Sequence, residues 1–291
     1  MAANVEQGHP ANPLDISGCD REPIHIPGSI QPHGALFLID PRNGTVVQAA
    51  VGKSQLGGPE TELAGRPLAD LLPPAAGLVE ALLERPRSKG VTHLGRVEIG
   101  DGAYHVIAHW VPAGLIVELE STGRDEDGSF DDFYPDVRDF LEGVQNADSI
   151  DEIAILAARQ VRRITGLDRA MVYRFDREWN GEVIAEDRND KLPSYLGLRF
   201  PASDIPAQAR ELYRLNRLRL IADAGYTPVP IVPPRAEPVD LSLSVLRSVS
   251  PVHLEYMRNM GTMASMSISL LRDGNLWGLI SCHNREPARV S

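Results

Sequence analysis

Apolar and polar positions alternate along two blocks of the chain, and between and around them they recur every three to four residues. Runs at 35–39 (Ala-Leu-Phe-Leu-Ile) and 45–51 flank the turn-forming Asp40-Pro41-Arg42-Asn43-Gly44, which predicts two strands in a hairpin. Helical spacing predicts short helices at 67–72 and 75–84. Strands follow at 92–99, 103–111 and 114–120, with hairpin turns at Gly100-Asp101-Gly102 and Pro112-Ala113-Gly114. Residues 121–132 (STGRDEDGSFDD) are acidic and glycine-containing and read as a linker. Beyond them Val137, Phe140, Leu141 and Val144 share one helical face, and Ile150, Ile153, Ala154, Ala157, Val161 and Ile164 share the next. Strands are expected at 169–175 and 182–186, and helices at 207–215 and 252–260. Closing strands at 264–271 and 275–283 meet at Asp273-Gly274. The pattern is α+β in two parts: a five-stranded antiparallel sheet with helices to one side, then helices flanking a second antiparallel sheet. Residues 223–240 carry five prolines and read as a long irregular excursion, and 1–18 as a flexible polar arm.

Composition narrows the function classes. With 291 residues and 43% hydrophobic content, the chain has enough apolar surface for two domains. A net charge of −11 argues against nucleic acid or an anionic membrane as the partner. Only Lys53, Lys89 and Lys191 are lysines, so arginine abundance by itself marks no arginine as a ligand. The cysteines, Cys19 and Cys282, are far apart, show no metal-ligand spacing and do not suggest a disulfide. The start lacks a basic, apolar leader and no stretch reaches membrane-span length, so a cytoplasmic protein is expected.

Four strings carry candidate chemistry. Arg-Phe-Pro-Ala-Ser-Asp-Ile-Pro (199–206) places Asp204 and Ile205 between two φ-restricting prolines, which stiffens the turn that presents them. Cys19 opens Cys-Asp-Arg-Glu-Pro-Ile-His-Ile-Pro-Gly-Ser-Ile-Gln-Pro-His-Gly; its neighbours Asp20 and Glu22 raise rather than lower a thiol pKa, so no self-activated nucleophile is indicated. His253 follows Ser250-Pro251, where Ser250 suits an N-cap and Pro251 the first helical position. His283 ends Leu-Trp-Gly-Leu-Ile-Ser-Cys-His. Ser265 and Ser267 alternate along a strand and therefore share a face. Taken singly, each has an ordinary structural reading: a solvated Asp, a surface Cys, a satisfied His, a polar strand face.

Taken together and in order, the four strings resemble the chromophore-binding region of bacteriophytochromes, over residues 15 to 284. The resemblance implies a PAS domain at 19–120 carrying the attachment segment, a linker at 121–132 and a GAF domain at 133–291. It implies red/far-red light sensing, without enzymatic activity in this stretch, through biliverdin IXα. Cys19 would form a thioether to a vinyl group of the pigment, with positioning replacing thiol activation; the residue before His253 is Val252, where relatives with plant-type bilins carry the attachment cysteine. His253 and the backbone carbonyl of Asp204 would lie near the pyrrole nitrogens, Arg219, Arg247, Tyr213, Ser265 and Ser267 near the two propionates, with Ile205 and Ser250 as further pigment-binding residues. Met263, Met266 and Ile268 would line the pocket less specifically. Tyr173, Phe200 and Tyr256 would cage ring D, with His283 on its carbonyl while light drives Z/E isomerisation at C15=C16. Cys282 reads as a core thiol.

The same resemblance implies that the segment around Ile30 threads through the loop 222–250 as a figure-of-eight knot. It further implies a possible homodimer through GAF helices, and PHY and histidine-kinase domains in full-length relatives. The chain is then expected to be a fragment ending before a final GAF helix, with Asp204 partly exposed. Two other classes stand beside this reading: a PAS–GAF module for a non-bilin small ligand, and a Cys–His enzyme, for which no third orienting residue is visible.

Overall fold

The computed structural model describes residues 22–52, 63–122 and 130–290. A two-residue strand, β1 (Ser29–Ile30), precedes β2 (Gly34–Asp40) and β3 (Thr45–Val51). Helices α1 (Leu68–Leu71) and α2 (Pro73–Leu83) follow, then β4 (Thr92–Ile99), β5 (Gly102–Val111) and β6 (Gly114–Ser121). The sheet is antiparallel, in the order β3-β2-β6-β5-β4.

Strand β2 is buried from Gly34 to Ile39 without alternation, because both of its faces are covered. Ala35, Phe37 and Ile39 pack with Leu68, Leu72, Ala75 and Val79 of the two helices. Leu36 and Leu38 face the other way, against Ile30, Ile231, Leu241 and Leu246. The predicted helices do lie to one side; the proline-rich excursion of the second half covers the opposite side.

That excursion is anchored by polar contacts as well. Glu118 on β6, fully buried, accepts from the backbone N–H groups of Val245 (3.1 Å) and Leu246 (2.9 Å). Burial pushes its carboxyl up to about 8. Gln48 Nε2 donates to the Pro233 carbonyl at 2.6 Å.

The second half contains α3 (Phe130–Gln145), α4 (Ile150–Thr165), β7 (Arg169–Phe175), β8 (Gly181–Arg188) and β9 (Arg199–Phe200). It continues with α5 (Ala207–Leu215), β10 (Leu218–Ile221), β11 (Val229–Pro230), α6 (Pro251–Asn259), β12 (Ala264–Arg272) and β13 (Asn275–Asn284). Six strands form an antiparallel sheet in the order β10-β12-β13-β7-β8-β9. Ser149 caps α4 by accepting from the Glu152 N–H, and the Glu152 carboxylate accepts from the Asp148 N–H. Gly166, at φ 66°, ends the helix in the left-handed conformation glycine favours.

Three expectations are corrected here. The linker predicted at 121–132 is shorter: Ser121 belongs to β6, α3 begins at Phe130, and 123–129 lie outside the described residues. The apolar face predicted on α4 is only partly core, since Ala154 and Ala158 are buried while Ile150, Ile153 and Ile164 are exposed. On α3, Val137 and Leu141 are exposed as well.

The segment before β2 is flanked by two stretches of the excursion. On one side β1 pairs with β11, and Ile231 N–H donates to the Gly28 carbonyl at 2.9 Å. On the other, Leu241 N–H donates to His25, Ser248 N–H to Ser29, and Gln31 N–H to Leu246.

Candidate functional site

The stiff turn predicted around Asp204 is built as β9, a single 3₁₀ turn at Ala202–Asp204, and α5 starting after Pro206. Arg210 holds it: its Nη1 donates to the Ile205 carbonyl at 2.7 Å and the Ala202 carbonyl at 3.3 Å, while the guanidinium lies 4.7 Å over the Trp179 ring. Asn180 Oδ1 accepts from the Ala202 N–H. The half-buried Asp204 carboxylate accepts from the Tyr256 hydroxyl at 3.2 Å.

Between this turn, α5, α6 and the strands β7, β12 and β13 lies a cleft of about 720 Å³, part of it open to solvent. Its polar groups are Asp204, His253, Ser265, Ser267, Ser281, Thr262 and His283; its walls include Tyr173, Tyr195, Phe200, Tyr213, Tyr256 and Ile205.

The two histidines arrive from different elements. His253 sits in the first turn of α6, its ring 6.2 Å from that of Tyr256 and nearly parallel to it. Burial, reinforced by the nearby Arg219 cation, pushes it down to about 4. His283 lies on β13 and is lowered to about 3 by burial, then by Arg169 and His253. Both are therefore neutral at neutral pH. Ser265 and Ser267 face the cleft together, as their spacing predicted. Tyr173 owes its place to Gly181, where a Cβ would meet the tyrosine ring at 1.6 Å. Burial, then Asp204 and Asp176, raises its hydroxyl to about 12.

Arg219 and Arg247 stand next to the cleft rather than in its wall. Arg219 is the cross-strand partner of Ser267, so its side chain leaves the same face of the sheet. It donates to the carbonyls of Val245 (3.1 Å) and Arg247. Arg247 donates to the Ile24 carbonyl at 2.7 Å, and its Nε is buried without a hydrogen-bond partner. Desolvation, then repulsion by Arg219, lowers Arg247 to about 9. Two neighbouring buried cations with carbonyl partners and a free N–H suit a ligand bearing carboxylates.

Several predicted residues are placed differently. Ser250 occupies the N-cap position of α6 but caps nothing; its hydroxyl donates to Glu22 Oε2 at 2.5 Å. Met266 and Ile268 pack on the opposite face of β12, against the α4 side, and Met263 packs beside Ile221 and Leu254. Cys282 is buried, with its thiol pushed up to about 12. Cys19 lies outside the described residues.

The structure also adds wall residues: Met171, Tyr195, Met257, Met260, Thr262, Leu279 and Ser281. Met171, Leu279 and Ser281 follow from counting back in twos from Tyr173 and His283; Tyr195 and Thr262 lie outside helices and strands, where no period applies. Arg169, fully buried behind His283, gave no signal in the sequence.

Comparison with known proteins agrees with this geometry. The PAS fold model matches residues 19–122 and the GAF domain model residues 149–290. The chromophore-binding domain of Stigmatella aurantiaca bacteriophytochrome (Thr289His mutant, Pr state) is 47% identical, with a TM-score of 0.81 over 94% of this chain and 92% of that one. The chain belongs to the bacteriophytochrome family. The chromophore-binding domain of RpBphP3 from R. palustris is 44% identical, with a TM-score of 0.83 over 94% of this chain and 91% of that one. Cyanobacterial phytochrome B of Nostoc is 46% identical over 95% of the chain, and the bacteriophytochrome of Xanthomonas campestris 45% over 95%. The chain spans 38% and 44% of the length of those two curated relatives. Among the described residues no helix is long and apolar enough to cross a membrane.

Proposed function

We propose that this chain is the light-sensing module of a red/far-red photoreceptor, and that it holds biliverdin IXα in the cleft between α5, α6 and β12–β13 with a thioether to Cys19. The observation that carries the reading is the convergence of His253, His283, Asp204, Ser265 and Ser267 in one aromatic-walled cleft beside two buried arginines. When bound, the pigment supplies the absorption and a Z/E isomerisation about C15=C16.

The residues divide the remaining work. Arg247, with its unpaired Nε, and Arg219 neutralise the propionates, and the Ser265 and Ser267 hydroxyls supply further donors. His253 and the turn at Asp204 face the pyrrole nitrogens. Tyr173, Phe200 and Tyr256 wall the space in which ring D turns, with Gly181 fixing the seat of Tyr173. Glu22 and Ile24, a few residues beyond Cys19, hydrogen-bond to Ser250 and Arg247, and these contacts support attachment through Cys19. In this reading the module is a cytoplasmic sensor rather than an enzyme. Signalling passes to PHY and histidine-kinase domains in the whole protein, and the exposed apolar positions Val137 and Leu141 of α3 offer a face for a homodimer.

The test is direct. The purified chain mixed with biliverdin IXα should develop a red absorption band and a zinc-fluorescent band on a denaturing gel. Failure to develop the red band refutes the function. A gel band that persists in Cys19→Ala refutes the attachment site alone.

A further inference from the structure

His283 meets a cation behind the cleft wall. An Arg169 guanidinium N–H donates to its Nδ1 at 2.6 Å. Nδ1 therefore accepts, and the single proton of a neutral imidazole must sit on Nε2, which lies 3.1 Å from Ser281 Oγ. The other tautomer would set two N–H groups against each other across 2.6 Å.

Arg169 is well suited to enforce this. It is fully buried, it donates to the Pro193 carbonyl at 2.6 Å, and its guanidinium lies 3.9 Å over the Tyr195 ring. The Glu186 carboxylate is 3.9 Å away and is itself fixed by the Ser194 hydroxyl and the Tyr195 N–H. The charged and titratable groups around the imidazole are thus Arg169 on β7, His253 on α6, and, behind Arg169, Tyr195 with Glu186 and Arg188 of β8.

We propose that Arg169 is a positioning residue that locks the His283 proton on Nε2, so that the cleft presents a ring N–H donor to a carbonyl-type acceptor of the bound molecule. The identity of that acceptor as a pigment carbonyl rests on the reading above; the tautomer and its cause do not. The arrangement makes the donor insensitive to pH across the neutral range, because protonating Nδ1 would oppose the Arg169 cation directly.

The experiment uses the chain without pigment, labelled with ¹⁵N-histidine, its His283 signals assigned by their loss in His283→Gln. The expected result is a protonated Nε2 and an unprotonated Nδ1 that do not titrate between about pH 5.5 and 8. Arg169→Met should release the lock, giving a mixture of tautomers or a titration that enters this range. A wild-type proton on Nδ1 overturns the proposal with no variant needed, and so does a folded Arg169→Met chain whose His283 behaves as in the wild type. In the pigment-loaded chain, Arg169→Met should move the red band or make its position pH-dependent. If the wild type develops no red band at all, biliverdin is lost as the acceptor while the tautomer result stands.

Discussion

Arg247 offers a test of the cleft's charge logic. Its pKa is lowered from the usual arginine range to about 9, first by desolvation and then by Arg219. The sign follows from linkage: below about 9 the folded chain carries the cost of a buried cation, and above about 9 that cost fades as the folded state gives up the proton while the unfolded state keeps it. A carboxylate ligand needs the cation. Affinity for biliverdin should therefore fall about tenfold for each pH unit above about 9, until the group is neutral in the complex too. Arg247→Ala should weaken binding roughly 10- to 150-fold near neutral pH, the equivalent of ~1.5–3 kcal/mol for a lost charge-assisted hydrogen bond. It should also flatten the alkaline limb. The assay is equilibrium binding in the Cys19→Ala background, where no covalent step intervenes, read by quenching of tryptophan fluorescence between about pH 7 and 10.5. Comparing the two chains cancels any proton taken up by the pigment itself. Unchanged affinity in Arg247→Ala, or parallel pH profiles for both chains, would sink the clamp.

Gly181→Ala forces a Cβ into the Tyr173 ring, so it should displace that ring and alter the yield of photoconversion more than the affinity for biliverdin. An unchanged red-minus-far-red difference spectrum argues against the cage. His253→Ala should reduce the red absorption band near neutral pH by removing a polar partner of the pyrrole nitrogens, checked by an absorbance titration against the wild type. Glu118 favours its protonated form in the fold, raised by burial from 4.5 to about 8, so stability should decline as pH rises through that window. Urea midpoints across the window should show the decline in the wild type and its loss in Glu118→Gln; matching profiles would refute the assignment. Cys19→Ala should keep the red band and lose the zinc-fluorescent gel band, read on one sample by spectrum and electrophoresis.

Legibility in the sequence followed physical signal strength. Strand β7 and helix α5 have the bounds their patterns predict, because one face of each is apolar and Pro206 marks the start of α5. Strands β1, β9 and β11, of two residues each, are too short to show any period. The α4 stripe was over-read because exposed isoleucines continue the apolar face beyond the buried Ala154 and Ala158. In the site, Asp204, His253 and His283 stood out through their flanking strings, and the serine pair through alternation. Arg169 did not, since in an arginine-rich chain a basic residue opening a strand reads as a solvated edge, whereas here it is the largest fully buried side chain among the described residues. Ser250 had every local mark of a cap, but the nearby Glu22 carboxylate took its hydroxyl.

One hydrogen-bonded path runs through both halves of the chain and ties the arginines beside the cleft to the first sheet. Glu118, in the first sheet, fixes the N–H groups of Val245 and Leu246. The carbonyls of Val245 and Arg247 hold the Arg219 guanidinium, and Arg247 in turn holds the Ile24 carbonyl in the segment before β1. The two cations that suit a dicarboxylate are thus positioned by main-chain groups of an irregular loop, and that loop is positioned by the sheet of the other half. A proline-rich excursion without regular structure is a poor mount for paired charges unless something rigid supports it. Here the support is the far face of β2 and β6, whose burial removed the alternation that a one-sided sheet would show. The unbroken apolar run at 35–39 therefore marks the surface on which the loop carrying Arg247 rests.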